Sequence, residues 1–474
     1  MAKNLLPAKD KDISEWYTGV IKLADLADYG PAKGTMIIRP YGYAIWEHIQ
    51  AAMDLEIKKK GVDNAYFPIF IPMSFLQREK EHVEGFAPEL AVVTHGGGEE
   101  LEESLVVRPT SATIMYDPYA NWVQSWRDLP ILINQCCNVV RWEKRTMPFI
   151  RTSEFLWQEG HTAHATRDEA VSYQKWAMDM YAGIYRNFFA LDGYVGWKST
   201  AERFAGADST LTFESMMPSG KTLQSCTSHD LGQNFAKPFG IKFQDKEGEE
   251  SYAWQTSWGF STRSVGGLIL SHGDDNGLVL PPKLAPVQAA IIPVKSDGNE
   301  AKYCKEIHEV LVKASIRSKL DNRDDETFGY RINKWEVKGA PLILKIGGRE
   351  ADAKTVTVKR RFDGAELTCA FSELEQVVKA QLDELQAAMF AESQKFIAKN
   401  TREAKNYDEF KKILSEHKGF IKVCWNDDPA IEKIIKEETK AKSSCRPVDW
   451  PDVDGVDFYT GKPARQHWLF AQSY

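Results

Sequence analysis

The sequence predicts an α+β fold of about three domains, and three observations indicate it. The chain has 474 residues, and a globular domain takes roughly 150. Residues 129–143 and 148–166 have the composition of two long strands, and the polar turn 144–147 joins them. After Pro286, segments typical of buried strands alternate with segments of helical spacing. Such alternation predicts a separate α/β domain of about 100 residues.

The first predicted elements lie between residues 41 and 72. Within 41–60, Ile45 and Ile49 fall on the apolar stripe of a helix, and Gly61 stands in the position of a C-cap. Residues 62–72 are apolar and end at prolines, as a short strand does. The sequence therefore predicts a helix followed by a strand.

Two further elements complete the first half of the chain. Thr166 and Glu169 form a capping box, which predicts a helix running to about Phe189. Residues 266–286 form a hydrophobic segment that glycine and aspartate interrupt and a pair of prolines ends.

The second half of the chain is predicted to begin a new domain. Ser372 and Glu375 form another capping box, at the start of the last predicted helix. The predicted elements are strand 287–294, helix 302–319, strand 341–348 and helix 374–397. From about residue 400 the chain is charged and rich in turn residues. We therefore expect three domains, residues 1–285, 286–398 and 399–474.

Charge and composition exclude several classes of protein. Lys and Arg number 60 against 67 Asp and Glu, for a net charge of −7. A protein with this net negative charge cannot bind nucleic acid over its whole surface, although a local basic patch can still hold RNA. The hydrophobic fraction of 43% excludes a disordered chain. No apolar run approaches the roughly 20 residues of a membrane helix, and the N-terminal residues lack the pattern of a signal peptide, so we expect a soluble cytoplasmic protein without membrane partners.

The seven cysteines are predicted to be free thiols. Their number is odd, and no CxxC or CxxH pair occurs. Cys424 and Cys445 are too far apart to form a zinc knuckle without two further ligands nearby. We expect no structural zinc.

Charged and aromatic residues concentrate on the predicted hairpin. The side chains that share a strand face are Arg141 with Glu143, Arg151 with Phe155, and Trp157 with Glu159 and His161. Guanidinium groups grip phosphate oxygens and aromatic rings stack on bases, so this surface suits a nucleotide. His229 and Arg263 are candidates for the same cleft. Alternatively, the charges form cross-strand salt bridges around an aromatic core, and spacing alone leaves both interpretations open.

Other kinds of site are disfavoured. The chain has no GxxxxGK[ST] or GxGxxG motif, and residues 96–98 predict a flexible glycine loop. His161 and His164 face opposite sides of a strand, which disfavours a shared metal. No serine lies in a nucleophile elbow, and Cys137 falls in a strand predicted to be buried, which argues against covalent catalysis.

Four longer segments carry a resemblance that decides between these interpretations. They are RPTSATIMY (108–116), NVVRWEKRTMPFIRTSEFLWQEGHTAHAT (138–166), GADSTLTFESMMPSGKTLQSCTSHDLGQNFAKPFG (206–240) and WQTSWGFSTRSVGGLILSHGDDNGLVLPPKLAP (254–286). In these segments, and over nearly its whole length, the chain resembles the prolyl-tRNA synthetases. It resembles their archaeal and eukaryotic-type branch, and between the second and third family motifs it lacks the large insertion that carries the editing domain of many bacterial members.

The resemblance implies the fold of a class II synthetase. Such a chain has an antiparallel catalytic sheet flanked by helices, then an α/β anticodon-binding domain, then a small α+β C-terminal domain. The first family motif would be the helix at 41–60 and the strand ending at Pro68, which builds a dimer interface in this family, so a homodimer is implied. The second motif would be the strand pair 129–166, and the third would contain Arg263.

The implied reaction has two steps. The carboxylate of proline attacks the α-phosphate of ATP, giving prolyl-adenylate and pyrophosphate, and a ribose hydroxyl of tRNA then takes the prolyl group. The implied ligands are proline, ATP, Mg²⁺ and tRNA. Phosphoryl transfer of this kind needs positioning and charge neutralisation more than a proton-abstracting side chain.

The resemblance also assigns roles to individual residues. Arg141 would hold the α-phosphate and the proline carboxylate, Arg151 the γ-phosphate, and Phe155 and Arg263 the adenine, which makes Arg141 and Arg263 the implied catalytic residues. Further nucleotide contacts would be Glu143, Gln224, Thr227 and Ser261, with Gln224 near Mg²⁺. The proline pocket would comprise Phe86, Thr110, Ala112, Arg141, Trp157, Glu159, His161, His229 and Ser257.

Four positions depart from the family pattern. Ala112 stands where the family has a glutamate expected to bind the prolyl nitrogen, and Cys136, Ser209 and Cys226 replace an expected tryptophan, tyrosine and glycine. Three interpretations follow: drift with compensation from Glu159, a pocket reshaped for a proline analogue or against an inhibitor, or a weakened homologue that binds tRNA or a partner. The retained arginines favour an enzyme, since a pure binding module has no use for an ATP clamp.

The C-terminal half offers candidates for RNA and metal contacts. Arg349, Arg360 and Arg361 fall where the anticodon-binding domain would contact RNA, although each alone is better explained as a solvated surface charge. Cys424 matches the first of four zinc cysteines that relatives often carry, and the others are missing. Tyr474 fits a family in which the chain end folds back towards the catalytic domain.

Overall fold

The computed structural model describes residues 6–77 and 90–474. Its α-helices are α1 (Ile13–Leu23), α2 (Pro40–Lys59), α3 (Met73–Gln77), α4 (Ala112–Trp122), α5 (Arg167–Asn187), α6 (Ala236–Phe239), α7 (Arg263–His272), α8 (Gly298–Lys313), α9 (Phe328–Val337), α10 (Gly348–Ala353), α11 (Leu374–Lys399), α12 (Tyr407–Glu416) and α13 (Pro429–Thr439). Short 3-10 turns span Trp126–Asp128 and Phe371–Glu373. Across the described ranges, no helix has the length and apolar character needed to span a bilayer.

The strands group into sheets that are mostly antiparallel. They are β1 (Ala27–Tyr29), β2 (Met36–Ile38), β3 (Asp63–Asn64), β4 (Phe70–Pro72), β5 (Ala91–Gly96), β6 (Glu99–Val107), β7 (Ile131–Val140), β8 (Glu154–His164), β9 (Tyr194–Trp197), β10 (Ser209–Met216), β11 (Thr222–Gly232), β12 (Lys242–Gln244), β13 (Glu250–Tyr252), β14 (Trp254–Ser261), β15 (Ala289–Pro293), β16 (Ser318–Leu320), β17 (Leu342–Ile346), β18 (Thr355–Arg360), β19 (Glu366–Ala370), β20 (Thr401–Glu403), β21 (Phe420–Cys424), β22 (Ala441–Pro447), β23 (Gly455–Val456), β24 (Pro463–Ala464) and β25 (His467–Gln472).

The largest sheet has eleven strands in the order β20-β21-β25-β22-β9-β10-β11-β14-β8-β7-β3. Helices α2, α5 and α7 pack on one face, where the largest hydrophobic core includes Trp46, Tyr181, Tyr185, Trp258 and Phe260. Because side chains alternate along a strand, the residues between these core positions turn to the other face. These three helices leave that second face uncovered, and a cavity lies on it.

Three of the four predicted helices agree with the structure in position, and one predicted cap is wrong. Helix α2 ends one residue before the predicted boundary, and Gly61 follows it with φ +81°, a backbone conformation that suits glycine. Thr166 accepts the Glu169 N–H as expected. The capping box predicted at Ser372 is absent, because the chain enters α11 through the turn Phe371–Glu373 and no side chain caps that helix.

The predicted hairpin exists, with shorter strands than expected. Its register runs from Ile131 opposite Ala163 to Val140 opposite Glu154. Arg141, Glu143 and Arg151, which were predicted to lie on the strands, therefore lie in the connection 141–153. The last bond of the pairing runs from the Arg141 N–H to Ser153 O at 2.8 Å. The loop beyond it contains Pro148, which has no N–H to donate, and Phe149, which adopts a positive φ of 60°.

The second half of the chain forms a five-stranded sheet in the order β16-β15-β17-β18-β19. Helices α8 and α11 pack on it around a core of their own, which agrees with the predicted α/β arrangement. The helix predicted over 302–319 ends at Lys313. Ser315 then takes a positive φ of 60°, and the rest of that segment becomes β16.

The C-terminal region continues the large sheet instead of folding apart from it. Strand β22 pairs with β9, with Arg446 opposite Trp197. At the end of the chain, the Tyr474 N–H donates to the Thr222 carbonyl at 3.1 Å. The chain end thus lies against strand β11 of the large sheet.

Candidate active site

The open face of strands β8, β10, β11 and β14 carries a cavity of about 280 Å³. Twelve of the predicted site residues line it: Thr110, Arg141, Phe155, Trp157, Glu159, His161, Gln224, Thr227, His229, Ser257, Ser261 and Arg263. The other lining residues are Lys198, Glu202, Phe204, Thr210, Ser225, Cys226, Trp258, Gly259 and Phe260. Residues from segments up to 153 positions apart in the sequence therefore meet here, as the resemblance implied.

A smaller cavity of about 190 Å³ adjoins the first and gathers the arginines. Arg141 and Arg263 line both cavities, and Glu143 and Arg151 line the smaller one. Arg151 Nε lies 3.6 Å from Glu143 Oε1. Three guanidinium groups thus border one small space, which favours a ligand with several negative charges.

Two of these arginines are held by backbone carbonyls. Arg141 Nε donates to Pro109 O at 3.1 Å, and its guanidinium lies 5.5 Å from the ring centre of Phe155. Arg263 Nε donates to Ile150 O at 3.0 Å. Burial, and then the nearby charge of Arg151, lower the pKa of the Arg263 guanidinium. A bound anion would relieve that repulsion.

The carboxylate of Glu159 is the buried anion of the larger cavity. Glu159 is 1% exposed. Oε2 accepts from His161 Nε2 at 2.9 Å, from Ser111 N at 3.1 Å and from Thr110 Oγ1 at 3.3 Å, and Oε1 accepts from Gln135 Nε2 at 3.4 Å. Burial alone would raise the pKa of Glu159, but the hydrogen bonds from His161 and Ser111 lower it below its usual value. The group is therefore ionised at neutral pH.

Two histidines, His161 and His229, line the same wall of the larger cavity. His161 Nδ1 is 2.9 Å from the Tyr116 hydroxyl. His229 Nδ1 is 2.9 Å from Thr210 Oγ1, and its ring centre lies 4.5 Å from that of Phe204. Burial, and then His161, lower the pKa of His229 to about 3. His229 is consequently a neutral ring at physiological pH.

A buried ion pair in the cavity wall was missed at the sequence level. Lys198 Nζ lies 2.7 Å from Glu214 Oε1, and both side chains are 2% exposed. Thr212 Oγ1 also donates to Glu214 at 2.9 Å. The sequence shows only one charged residue in each of two otherwise apolar segments. The two segments become neighbours only when β9 pairs with β10.

Cys137 is a second group that the sequence did not place at the site. Its Sγ accepts from Trp157 Nε1 at 3.3 Å and lies 3.6 Å from Glu159 Oε1. Burial, and then the Glu159 charge, raise the pKa of this thiol to about 12. It is therefore protonated at neutral pH and a poor nucleophile.

Several predicted positions do not line the cavities. Ala112 begins α4, is 3% exposed, and packs in an aromatic cluster with Tyr116 and Tyr119. Cys136 is solvent-exposed on the opposite side of its strand from Cys137, and the Ser209 hydroxyl accepts from Gln174 Nε2 at 3.1 Å. Phe86 lies outside the described residues.

The three arginines predicted to contact RNA differ in their surroundings. Arg349 is exposed on α10. Arg360 pairs with Asp363 at 2.9 Å and with Glu384 at 3.3 Å. Arg361 is 8% exposed and joins Asp274, beyond the end of α7, at 2.6 and 2.8 Å. Arg361 therefore joins the five-stranded sheet to the segment that follows α7, and its contact with RNA stays a prediction.

Two expectations from the sequence concern metals: no structural zinc near Cys424, and a Mg²⁺ ion near Gln224. Over residues 6–77 and 90–474, no three His, Cys, Asp or Glu side chains are grouped closely enough to hold a metal. Cys424 Sγ donates to Ala464 O at 3.4 Å. Gln224 lines the larger cavity, so its amide oxygen fits a Mg²⁺ ion whose other ligands are phosphate oxygens and water.

Comparison with family models divides the chain into three matches. Residues 93–272 match the tRNA synthetase class II core domain (G, H, P, S and T), residues 288–381 the anticodon binding domain, and residues 407–474 the prolyl-tRNA synthetase C-terminal domain.

Curated relatives and a solved structure match along the entire chain. The proline–tRNA ligase of Amoebophilus asiaticus is 44% identical over 99% of both chains. The chloroplastic/mitochondrial proline–tRNA ligase of Arabidopsis thaliana is 47% identical over 98% of this chain and 88% of its own. The crystal structure of prolyl-tRNA synthetase from Cryptosporidium parvum, complexed with halofuginone and AMPPNP, is 41% identical, covers 99% of both chains and superposes with a TM-score of 0.94. The chain belongs to the prolyl-tRNA synthetase family.

Proposed function

We propose that the two adjoining cavities are the site at which this class II synthetase attaches proline to its tRNA at the expense of ATP. One observation carries the assignment to this site: three guanidinium groups border one end of a continuous space, and the buried Glu159 carboxylate stands at the other. The first end suits a polyphosphate, and the second suits a small cation such as the ammonium group of an amino acid.

The smaller cavity is the proposed nucleotide end. Arg141 holds the α-phosphate, Arg151 the γ-phosphate, and Arg263 and Phe155 enclose the adenine, whose amino group meets Glu143. Ser261, which lines both cavities, and Gln224 and Thr227, which line the larger one, contribute further contacts. The stacking of Arg141 on Phe155 and the carbonyl contact of Arg263 support these roles, because they fix the guanidinium planes before ATP binds.

The larger cavity is the proposed proline end. Trp157, Ser257 and the neutral ring of His229 enclose the pyrrolidine, and Thr110, Glu159 and His161 face its ammonium group. The lowered pKa of Glu159 supports this arrangement, since an ionised carboxylate attracts the charged ring nitrogen. Phe86 is proposed to close over the pocket.

Catalysis in this arrangement depends on positioning and charge. In the first step Arg141 aligns the proline carboxylate with the α-phosphate, and Arg151 and Arg263 neutralise the charge that passes to pyrophosphate. In the second step the tRNA ribose hydroxyl attacks the carbonyl carbon of the adenylate, and AMP leaves. A Mg²⁺ ion near Gln224, when bound, would offset further phosphate charge.

The finer assignments concern branch, domains and assembly. We infer the archaeal and eukaryotic-type branch, domain limits at residues 285/286 and 398/399, a cytoplasmic location, and contact of Arg349 with tRNA. A homodimer is also proposed. The exposed apolar residues Leu55 (57%), Tyr66 (73%) and Phe70 (46%) support it, since they lie in and beside the segment that forms the first family motif.

Proline-dependent exchange of pyrophosphate into ATP tests the assignment to this site. We expect exchange with proline, a loss of at least about a hundredfold in Arg141→Ala, and full activity in the control Arg127→Ala, whose side chain lies in a surface turn away from both cavities. Exchange stimulated by another amino acid would point to a reshaped pocket. An unchanged rate in Arg141→Ala would refute the proposed site.

A further inference from the structure

A wall of the larger cavity is formed by residues 198–204, the first part of the segment between β9 and β10, here called the connector. Lys198, Glu202 and Phe204 of the connector line the cavity. Strand β9, which leads into the connector, pairs on its outer side with β22 of the C-terminal region. The connector therefore lies between the substrate cavity and the C-terminal region.

Residues 427–444 of the C-terminal region hold the connector through polar contacts. Each contact joins a polar group of the connector to a side chain or carbonyl of that stretch. The pairs are Lys198 Nζ with Ser444 O at 3.0 Å, Ser199 Oγ with Glu432 Oε2 at 2.7 Å, Thr200 N and Oγ1 with Asp427 at 3.0 and 2.9 Å, and Glu202 with Lys436 at 3.2 Å and with Lys442.

The Glu432 carboxylate is buried, and each of its two oxygens accepts a hydrogen bond. Glu432 is 2% exposed, although it is a carboxylate on a helix of the C-terminal region. Oε1 accepts the Ser443 N–H at 2.8 Å while Oε2 accepts from Ser199. A buried carboxylate is costly unless its oxygens are paired. Its position therefore fixes the distance between β22 and the connector.

The other end of the connector reaches the amino-acid pocket. Phe204 N donates to Thr210 Oγ1 at 3.1 Å, and that hydroxyl is 2.9 Å from His229 Nδ1. The Phe204 and His229 rings lie 4.5 Å apart. The smaller, arginine-lined cavity has no connector residue in its lining. Displacing the connector should therefore disturb the proline end and spare the nucleotide end.

We propose that the C-terminal region is part of the amino-acid site: through Glu432 and Asp427 it holds the connector so that Phe204 and His229 are correctly placed. Glu432 and Asp427 are positioning residues, since neither lines either cavity of the candidate active site. The inference rests on the proposed function and extends it, because it makes the C-terminal region a determinant of proline binding.

The test compares Michaelis constants in proline-dependent pyrophosphate exchange by the full-length protein, without tRNA. We expect Glu432→Ala to raise KM for proline about threefold to tenfold and leave KM for ATP unchanged. Glu432→Gln keeps one acceptor oxygen and should restore part of the loss. Glu437→Ala is the matched control, since Glu437 is exposed on the same helix α13. If a substitution only reduced the fraction of folded enzyme, the apparent kcat would fall, and KM for proline and KM for ATP would both stay unchanged.

Asp427→Asn provides a second measurement that does not depend on the stability of a buried site. Asp427 binds an exposed residue, Thr200, and its positive φ of 52° is tolerated by asparagine. We expect KM for proline to rise about twofold to threefold. If Asp427→Asn and every Glu432 variant that folds keep KM for proline at the unsubstituted value, or shift both KM values equally, the inference is overturned. Absence of proline-dependent exchange in the unsubstituted protein would instead refute the proposed function, and the inference with it.

Discussion

Arg361 and Asp274 form a two-bond ion pair between the five-stranded sheet and the end of helix α7. The Arg361 Nη1 and Nη2 groups donate to the Asp274 carboxylate at 2.8 and 2.6 Å, and Nε donates to Glu336 O at 2.8 Å. Helix α7 begins at Arg263 in the candidate active site. The pair therefore fastens the anticodon-binding domain to a helix that carries an arginine of the candidate active site.

Removing the guanidinium should loosen this junction. Arg361→Met deprives Asp274 of its partner and removes one of the donors to the Glu336 carbonyl, which keeps the Gly339 N–H at 3.0 Å. We therefore expect a loss of about 1–3 kcal/mol in the free energy of unfolding. Thermal and urea denaturation would measure it. Arg349→Met is the control, because Arg349 is exposed on the same domain, and it should change stability by less than about 0.5 kcal/mol. Equal stability of the two variants would contradict the assigned role.

Glu159 should be essential for use of the amino acid and dispensable for ATP binding. Glu159→Gln keeps the shape of the side chain, but it removes the charge and turns an amide NH₂ towards the donors His161 and Ser111. We expect kcat/KM for proline to fall about tenfold to hundredfold, as for a buried charged partner, with KM for ATP unchanged.

The matched control for that measurement is Glu154→Gln, at the start of the same strand. Glu154 is exposed and accepts from Asn138 Nδ2 at 2.8 Å, outside both cavities. Its exchange kinetics should equal those of the unsubstituted protein. A loss in Glu159→Gln that appears equally in KM for ATP would contradict the assignment of Glu159 to the proline end.

The site was predicted mainly from long segments of sequence, and its details were not. Alternation along β8 placed Trp157, Glu159 and His161 on one face, because a strand obeys a period of two whatever surrounds it. The positions of Arg141 and Arg151 were expected on strands and lie in a loop, since a proline and a positive φ are local features that hydrophobic pattern does not register.

The remaining misses concern contacts between distant segments. Lys198 and Glu214 are 16 positions apart in the chain, and the bond from Lys198 to Ser444 spans 246. Nothing in the composition of either segment indicates the partner, because pairing depends on which strands become neighbours in the sheet. The same limit applies to the bond between Arg361 and Asp274: a surface arginine and an interdomain arginine have the same local sequence.

Ala112 should limit how well the enzyme uses proline. It follows Thr110, whose hydroxyl donates to Glu159, and Ser111, whose N–H donates to the same carboxylate. The resemblance implies a glutamate at position 112. We expect Ala112→Glu to raise kcat/KM for proline about tenfold to hundredfold, the usual value of a buried hydrogen bond to a charged group. Pyrophosphate exchange at limiting proline would measure it. Ala112→Gln, which adds the same bulk without the charge, should give a smaller gain, and an unchanged value for both would mean that Glu159 already compensates.

His164 should make the fold sensitive to acid. It is fully buried on the opposite face of β8 from His161, with Nε2 2.8 Å from Thr162 Oγ1, and burial lowers its pKa to about 4. An unfolded histidine has a pKa of about 6.5, so between these two values the unfolded state binds a proton that the folded state does not. Stability from this residue is therefore complete above about pH 6.5 and is lost as the pH falls towards 4, by up to about 3 kcal/mol.

Urea denaturation at about pH 7 and about pH 5 measures this dependence, with a loss from His164 of about 2 kcal/mol expected between them. In His164→Gln the total loss should be smaller by about that amount, because glutamine does not titrate. Part of the loss should remain, since the pKa values of His229 and His272 are also lowered by burial. His95→Gln, at an exposed position, should behave as the unsubstituted protein does. If His164→Gln retains the full pH dependence, the acid sensitivity arises elsewhere and the neutral, buried state assigned to His164 is wrong.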